Sequence, residues 1–315
     1  MPDGVEGGAA RGDAVRSDGA RGDGARGDGA SALGSALSWD AAAPPALAPT
    51  SRAQTAIAWT RVALAAVLTG ALLIFYLLFR AIEKVWPAFR WREGVQRLWA
   101  RGVGRIAGLT VTRVGEPMRE GGALVSNHVS WSDIFVLVGQ ARMTFVSKAE
   151  VRGWPGVGLI AGLCDTVFIE RRRSAAKAQT EEMARRVRRG ERLVFFPEGT
   201  STDGLRALEF RSTLFAPFME EGMRDEMWIQ PVSVVYHAPP GQPRAFYGWW
   251  GTMSFGGHVM DVLKRSFGGR AEVVFHPPVR PRDFKDRKAL ARHCGEAVAR
   301  GLRERLGAPE DAAEG

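Results

Sequence analysis

Residues 123–147 read ALVSNHVSWSDIFVLVGQARMTFVS. The apolar run at 123–126 predicts a strand, the stretch at 132–139 a helix, and the run at 144–147 the next strand. A strand, a helix and a second strand in such close succession are typical of an α/β sheet, in which helices connect neighbouring strands.

The same alternation continues towards the C-terminus. Further strands are predicted at 166–169, 193–196, 229–236 and 271–275, and helices at 174–189 and 288–306. We therefore expect residues 101–315 to form one α/β domain, built on a single mixed sheet flanked by helices.

The N-terminal part of the chain divides into two segments. Residues 1–51 are rich in Gly, Ala, Asp and Arg and poor in apolar side chains, which predicts a disordered tail. Residues 52–100 contain the uncharged stretch VALAAVLTGALLIFYLLF at 62–79, which predicts a membrane-anchoring helix near the minimum length for a span. A buried core helix is the alternative, and the sequence leaves open whether the helix crosses the bilayer or only enters it.

Positive charge follows the apolar stretch, with two tryptophans among the cations: Arg80, Lys84, Trp86, Arg90, Trp91, Arg92, Arg97 and Arg101. This pattern predicts that the following domain lies on the cytoplasmic face of the inner membrane. Residues 1–51 carry four Arg against seven Asp and Glu, a net charge of −3. Since the whole chain has a net charge of +9, the remaining residues have a net charge of +12. A basic folded part suits an anionic membrane surface, whereas nucleic-acid binding is not expected, because no recognised module accompanies the charge.

Cysteine usage and the spacing of the histidines argue against a metal centre. Cys164 and Cys294 form neither a disulfide framework nor a metal-ligand pattern, which is typical of a reduced compartment. We expect no metal and no cofactor.

His128 and Asp133 are the first candidates for chemistry. Five residues of regular helix would place the two side chains about 140° apart, so they can meet only if His128 precedes the helix and Asp133 lies in its first turns. In that arrangement the carboxylate orients the imidazole, which can then act as a general base. Taken alone, the pair is equally consistent with a capping histidine and a surface aspartate, with Asn127 or Ser130 capping the helix.

A second candidate feature lies seventy residues further on. The predicted strand at 193–196 runs into Pro197-Glu198-Gly199-Thr200. Proline ends the strand and glycine frees the turn, so that backbone N–H groups can converge on an anionic oxygen. Glu198 can hold a hydroxyl or orient a cation, although a strand followed by Pro-x-Gly is often only a turn.

Together these features resemble the glycerolipid acyltransferase superfamily typified by bacterial 1-acylglycerol-3-phosphate acyltransferases. The resemblance covers about residues 100–280 and rests on four blocks in the family order, at 127–133, 166–171, 196–200 and 230–233. Lys148 and Trp154-Pro155 resemble the region between the first two blocks.

The resemblance implies a reaction and a site. His128, oriented by Asp133, would deprotonate a lipid hydroxyl, which attacks the thioester carbonyl of acyl-CoA or acyl carrier protein without an acyl-enzyme. The acceptor would be a lysolipid, with lysophosphatidic acid giving phosphatidic acid. Its implied binding residues are Arg171, Glu198, Gly199 and Thr200, with Lys148 as a weaker candidate.

One departure from the family pattern bears on the acceptor. The third block commonly ends with arginine after Thr200, where this chain has Ser201. Either Arg171 or Arg211 replaces that cation, or the acceptor lacks a phosphomonoester. The variant block and the aromatic run at 247–250 resemble members that acylate lyso-ornithine lipid.

Two rival functions are compatible with the same residues. The chain can be a catalytically silent membrane adaptor that keeps the fold, although the presence of both His128 and Asp133 disfavours it. It can also be a lipid thioesterase or hydrolase in which water takes the place of the acceptor. Ser130 is the one rival nucleophile near His128.

Overall fold

The structure, a computed structural model, describes residues 39, 42–86, 91–153, 158, 161–162, 166–169 and 173–307. In these residues seven strands form one mixed sheet in the order β1-β7-β6-β2-β5-β3-β4. The strands are β1 Leu109–Val114, β2 Gly122–Ser126, β3 Thr144–Lys148, β4 Val167–Ile169, β5 Arg192–Phe195, β6 Trp228–His237 and β7 Gly269–Phe275. Only the β6–β7 pair is antiparallel; the other described pairs are parallel. The expected mixed sheet is confirmed.

The helices flank this sheet. They are α1 Arg52–Val85, α2 Trp91–Ile106, α3 Asp133–Val138, α4 Arg173–Arg188, α5 Met223–Glu226, α6 Phe255–Arg265 and α7 Arg287–Leu306. Short 3-10 turns occupy Ala149–Gly153, Ser212–Met219 and Pro281–Asp283.

Each predicted strand and helix has a counterpart within two residues at either end, apart from the longer α1. Strand β1 and helices α2, α5 and α6 were not predicted from the sequence as separate elements. The alternating Thr and Arg residues of β1 make its apolar run short, α5 is a single turn, and α6 lies among glycines. The expected boundary at 100/101 falls inside α2, whose Trp99 and Ala100 are buried in the core.

The sheet separates two apolar layers, because successive side chains of a strand point to opposite faces. In β2, Leu124 belongs to the layer that also contains residues of α2 and α3. Its neighbours Ala123 and Val125 belong to the layer formed with α4 and α7. All five β2 residues are buried, so this strand is central to the core and places the segment that follows it.

Helix α1 is the longest element, with 34 residues, and begins with a capping box formed by Ser51 and Gln54. Among the described residues it is the one helix long and apolar enough to cross a membrane, and 6% of its most apolar window is buried. Part of the helix nevertheless contacts the α/β domain. Arg61 donates to the carbonyl oxygens of Leu263 and Ser266, and Trp99 of α2 donates to Thr69.

Residues 42–50 precede α1 as a segment without regular secondary structure. Trp250 Nε1 donates to the carbonyl oxygen of Ala42 at 2.8 Å, and Arg265 donates to that of Ala48 at 2.8 Å. The C-terminal end of the predicted disordered tail is therefore attached to the domain, because its carbonyl groups find donors there. Residues 1–38, 40 and 41 lie outside the described residues.

Candidate active site

His128 and Asp133 meet at the carboxyl end of β2. His128 lies in the turn after β2, and Asp133 is the first residue of α3. The imidazole Nδ1 is 2.7 Å from Asp133 Oδ2. This is the arrangement that the five-residue spacing required for the two side chains to meet.

The Asp133 carboxylate is fully buried and accepts several hydrogen bonds. Besides the imidazole, Oδ2 accepts from the backbone N–H groups of Val129 and Ser130 at 2.9 and 3.2 Å. Oδ1 accepts from the Tyr236 hydroxyl at 2.8 Å. These donors compensate the carboxylate for the loss of water, because a buried charge is tolerated only when it is hydrogen bonded.

Tyr236 lies near the end of β6 and has a hydrogen-bond partner on each side. Its one O–H is donated to Asp133, so the Ser132 hydroxyl, 2.9 Å away, must donate to Tyr236. Burial and the neighbouring Asp133 charge raise the pKa of Tyr236 well above its usual range. The phenol therefore stays a neutral donor throughout the physiological pH range.

The His128 ring is held on one face and exposed on part of its edge. It stacks on Phe196 with 4.2 Å between ring centroids, and a quarter of its side chain is exposed. Since the Asp133 carboxylate accepts at Nδ1, the ring proton lies on Nδ1 and Nε2 carries a free lone pair. Such an imidazole can accept a proton from a hydroxyl group that reaches Nε2.

Asn127 ties the same turn to the neighbouring strand. Its amide donates to the carbonyl oxygen of Val234 at 2.9 Å, and its carbonyl accepts from the Val234 N–H at 2.8 Å. The expectation that Asn127 or Ser130 caps the helix is wrong, because Ser132 occupies the N-cap position without a side-chain bond. Ser130 is buried, and its hydroxyl finds no partner among the described residues, so it is poorly placed as a nucleophile.

Glu198 lies beneath this turn with a 2% exposed side chain. Its two oxygens accept from the backbone N–H groups of His128 and Leu208, each at 3.0 Å. Burial raises the pKa of Glu198 to about 8; the two backbone hydrogen bonds oppose the shift, and the charges of Asp133 and Asp203 add to it. In this geometry Glu198 supports the backbone of His128, and its expected contact with substrate stays a prediction.

The Gly199 turn brings the 196–202 loop against His128. Gly199 has a φ of +76°, and its N–H bonds to the Phe196 carbonyl. Thr202 N–H donates to the His128 carbonyl oxygen at 3.0 Å. The Arg211 guanidinium lies against Gly199, since a Cβ added there would be 3.0 Å from Arg211 Nε. Thr200, which follows Gly199 in the sequence, is half-buried.

Two predicted binding residues are not placed by the structure. Arg171 lies outside the described residues, as does Trp154-Pro155. Lys148 ends β3, but its side chain lies outside the described part of the molecule.

Tyr236 is the site residue that the sequence analysis missed, since it was assigned only to a strand. The available signal was a polar hydroxyl in the apolar run Val232-Ser233-Val234-Val235-Tyr236. Three histidines elsewhere have side-chain hydrogen-bond partners, and the first of them, His237, pairs with Glu272 at 2.7 Å. Burial lowers the pKa of His258, whose Nδ1 accepts from Trp131 at 2.9 Å, and buried Ser233 bonds to His276.

Chemistry through a cysteine nucleophile finds no support in the described part of the chain. Cys294 is fully buried in the core, and burial raises the pKa of its thiol to about 12. Cys164 lies outside the described residues. The described residues also contain no cluster of ligands that could hold a metal ion.

The fold and the His128–Asp133 pair at the end of a parallel strand define the class of this protein. The profile of the family described as Acyltransferase matches residues 110–235. The chain belongs to this family and is an O-acyltransferase.

Named relatives include lyso-ornithine lipid O-acyltransferases and 1-acyl-sn-glycerol-3-phosphate acyltransferases. The chain is 47% identical over 215 residues to the lyso-ornithine lipid O-acyltransferase of Rhodobacter capsulatus, covering 68% of this chain and 78% of that protein. It is 37% identical over 228 residues to the Brucella abortus protein of the same name, covering 69% and 84%. The 1-acyl-sn-glycerol-3-phosphate acyltransferase of Neisseria gonorrhoeae is 32% identical over 151 residues, covering 46% and 58%.

The fold is also that of a solved structure. The 1-acyl-sn-glycerophosphate acyltransferase of Thermotoga maritima superposes with a TM-score of 0.59 at 21% sequence identity. The match covers 82% of this chain and 97% of that one. At this level of identity the likeness concerns the fold.

Proposed function

We propose that this protein acylates the free hydroxyl of lyso-ornithine lipid, with a fatty acyl thioester as donor. The observation that carries the proposal is the extent of the likeness to lyso-ornithine lipid O-acyltransferases, 47% identity over 215 residues. For the Neisseria gonorrhoeae 1-acyl-sn-glycerol-3-phosphate acyltransferase the figure is 32% over 151 residues. Lysophosphatidic acid, the acceptor first expected from the family resemblance, becomes the second candidate.

The proposed reaction uses His128 as general base. Nε2 takes the proton from the acceptor hydroxyl as its oxygen attacks the thioester carbonyl, while Asp133 stabilises the imidazolium that forms. The C–S bond then breaks, and the imidazolium returns the proton to the departing thiolate. One ester forms and one thioester is consumed, with acyl-CoA or acyl carrier protein as donor and no cofactor.

The loop after Thr200 supports an acceptor without a phosphomonoester. Ser201 stands where the family commonly has arginine, and its hydroxyl donates to the Trp249 carbonyl oxygen. Arg211, beside Gly199, has an exposed side chain that can pair with a head-group carboxylate such as that of ornithine.

A direct acceptor assay tests this proposal. Purified protein with radiolabelled acyl carrier protein should acylate lyso-ornithine lipid at least about tenfold faster than lysophosphatidic acid at equal concentration, a rate ratio equivalent to about 1.4 kcal/mol. His128→Ala should abolish transfer and still fold cooperatively, with a melting temperature lowered by only a few degrees, because the buried Asp133 carboxylate loses one donor. A preference for lysophosphatidic acid would overturn the acceptor assignment, and rapid release of free fatty acid without acceptor would indicate a hydrolase.

We also propose that α1 attaches the domain to the membrane without crossing it. Domain contacts to α1 run from Arg61 to Glu83, which pairs with Arg92 of α2. Twenty-two helical residues span about 33 Å, about the thickness of the bilayer's hydrocarbon core. If α1 crossed the bilayer, its charged neighbour α2 would have to enter the hydrocarbon core with it. We therefore propose that α1 lies along the surface of the cytoplasmic leaflet, with its exposed apolar face towards the lipid.

A further inference from the structure

A polar cavity of about 380 Å³ lies where the C-terminal end of α1 meets the start of α2. The turns before β3 and β5 complete its wall. Five cations and three acids line it: Arg80, Glu83, Lys84, Arg92, Glu93, Arg142, Arg189 and Glu191. The cavity is of the size that small ligands occupy in proteins.

All three acids in the wall are already engaged by arginines. Glu83 pairs with Arg92, and Glu93 pairs with Arg142 at 2.9 Å. Glu191 pairs with Arg186, outside the cavity, at 3.2 Å.

Arg80, Lys84 and Arg189 are the cations left over. All three are exposed, and none has an acidic partner among the residues that the structure describes. Three cations at the mouth of a concave surface therefore favour an anionic ligand.

The cavity is separate from the candidate active site. Arg142 precedes β3 and Arg189 precedes β5, so the cavity lies at the amino ends of these strands. His128 follows the carboxyl end of β2, which is parallel to β5. The four residues of β5 alone extend about 13 Å, so the hydroxyl that reacts at His128 lies outside the cavity.

Three exposed residues that lie within two positions of the cavity wall in sequence, here called its rim, have the composition of a membrane interface. Val85, Trp86 and Trp91 are 87%, 67% and 59% exposed, and each lies close in sequence to a residue of the cavity wall. Tryptophan and apolar side chains beside cations are typical of the head-group zone, where rings and acyl chains lie below the phosphates.

We propose that this cavity binds the phosphate head group of an anionic phospholipid in the membrane surface. Arg80, Lys84 and Arg189 hold the phosphate, and the exposed side chains at the rim contact the first part of the acyl chains. This site goes beyond the proposed acyl transfer. It rests on the proposed membrane association of α1 and not on the identity of the acceptor.

The test uses the full chain in nonionic detergent, titrated calorimetrically with dihexanoyl phosphatidylglycerol below its critical micelle concentration. Wild type should bind this lipid at least about tenfold more tightly than dihexanoyl phosphatidylcholine. The variant Arg80→Gln/Lys84→Gln/Arg189→Gln should lose about 100-fold in affinity, since each cation near an anionic head group contributes a factor of about five.

The matched control removes three exposed cations from α7, which packs in the other apolar layer: Lys288→Gln/Arg292→Gln/Arg303→Gln. Its affinity should stay within about threefold of wild type, because charges beyond a Debye length of about 10 Å are screened. An equal loss of affinity in the control would show that the effect comes from the net charge of the protein and not from the cavity, and it would overturn the proposal.

Two further measurements distinguish the lipid head group from a free anion, and the cavity from α1 as the source of membrane binding. If inorganic phosphate binds as tightly as the lipid, the cavity is a site for a free anion, and the lipid assignment is overturned. Unchanged lipid binding by the triple variant would also overturn it. Sedimentation with phosphatidylcholine vesicles reports the membrane association of α1 alone. Wild type and the triple variant should sediment equally, whereas failure of wild type to sediment would count against the membrane proposal itself.

Discussion

At the scale of single residues, Asp133 has more hydrogen bonds than any other group in the candidate site. Its carboxylate joins two parts of the chain: the turn after β2, through the His128 imidazole and two backbone N–H groups, and Tyr236 near the end of β6. The two backbone N–H groups fix the position of the carboxylate, and the Tyr236 hydroxyl donates to Oδ1, the oxygen that does not bond to the imidazole. The orientation of His128 therefore depends on a side chain that lies 103 residues beyond Asp133 in the chain.

Tyr236→Phe should separate positioning from substrate binding. Losing the donor to Asp133 Oδ1 leaves a buried carboxylate oxygen unsatisfied, which costs about 1–3 kcal/mol and loosens the imidazole. We expect kcat to fall about tenfold with KM unchanged. Tyr247→Phe is the control, because that hydroxyl also has a buried partner, Ser266, but does not contact Asp133. A tenfold loss of kcat in both variants would contradict the positioning role.

Glu198 should make stability depend on pH. Its pKa is raised to about 8 in the folded chain, from an ordinary value of 4.5. Its contribution to stability is fully present below pH 4.5 and is lost as the pH rises to about 8, because the unfolded chain ionises first. Between pH 5 and pH 8 we expect a loss of about 3 kcal/mol in the free energy of unfolding. Urea denaturation of Glu198→Gln should lack this loss, and parallel pH profiles in the two proteins would refute the prediction.

At the scale of the elements, β2 and β6 approach each other closely at one end. Gly122 is paired with Trp228, and a Cβ added to Gly122 would lie 2.0 Å from the Trp228 carbonyl oxygen. Backbone cannot move away as a flexible side chain can. The small residue therefore permits the pairing of the two strands that carry His128 and Tyr236 at their far ends.

Gly122→Ala should destabilise the domain by about 3 kcal/mol or more, since the new methyl group must separate β2 from β6. Gly94→Ala is the matched substitution in α2, where a Cβ meets nothing within 4 Å. It should stabilise the protein by about 0.5–1 kcal/mol, because alanine restricts the unfolded chain. Thermal unfolding of both variants checks the pair, and equal melting temperatures would argue against the close approach.

At the scale of the whole molecule, α1 is the element through which we propose that the domain associates with the membrane. Its exposed large apolar side chains include Leu64, Val67, Ile74 and Leu78, which are 53%, 70%, 69% and 52% exposed. Arg61 and Thr69 on the same helix bond to α6, to the Ser266 carbonyl after it, and to α2. One face of α1 thus packs on the protein, and an apolar face is left for lipid.

Cysteine labelling distinguishes a helix that lies along the membrane from one that crosses it. Arg52→Cys and Gly94→Cys, in a Cys164→Ser/Cys294→Ala background, place one thiol at the first residue of α1 and one beyond its C-terminal end. Both should react with a membrane-impermeant maleimide in inverted inner-membrane vesicles, and neither should react in intact spheroplasts. Labelling of the Arg52→Cys protein from the periplasmic side would mean that α1 crosses the bilayer.

The amino-acid sequence by itself determined the local features of this protein. The strand at 123–126 and the helix at 132–139 follow from apolar patterning, which acts between residues close in the chain. The five-residue spacing showed which backbone geometry would let His128 reach Asp133, and the resemblance in four blocks of sequence led us to expect their contact. The apolar character of α1 is a property of composition and could be seen directly, although the helix is longer than the apolar stretch at 62–79 that predicted it.

Only the tertiary structure decided which distant groups join these features. Parallel strands place their carboxyl ends at one edge of the sheet, and the order of β2, β5 and β6 therefore brought Tyr236 and Glu198 to the turn at His128. No local pattern specifies that order, since it depends on how the layers pack on both faces. For the same reason, the contacts that hold α1 along the domain depend on which residues of α2 and α6 lie beside it, and these lie as much as two hundred residues further along the chain.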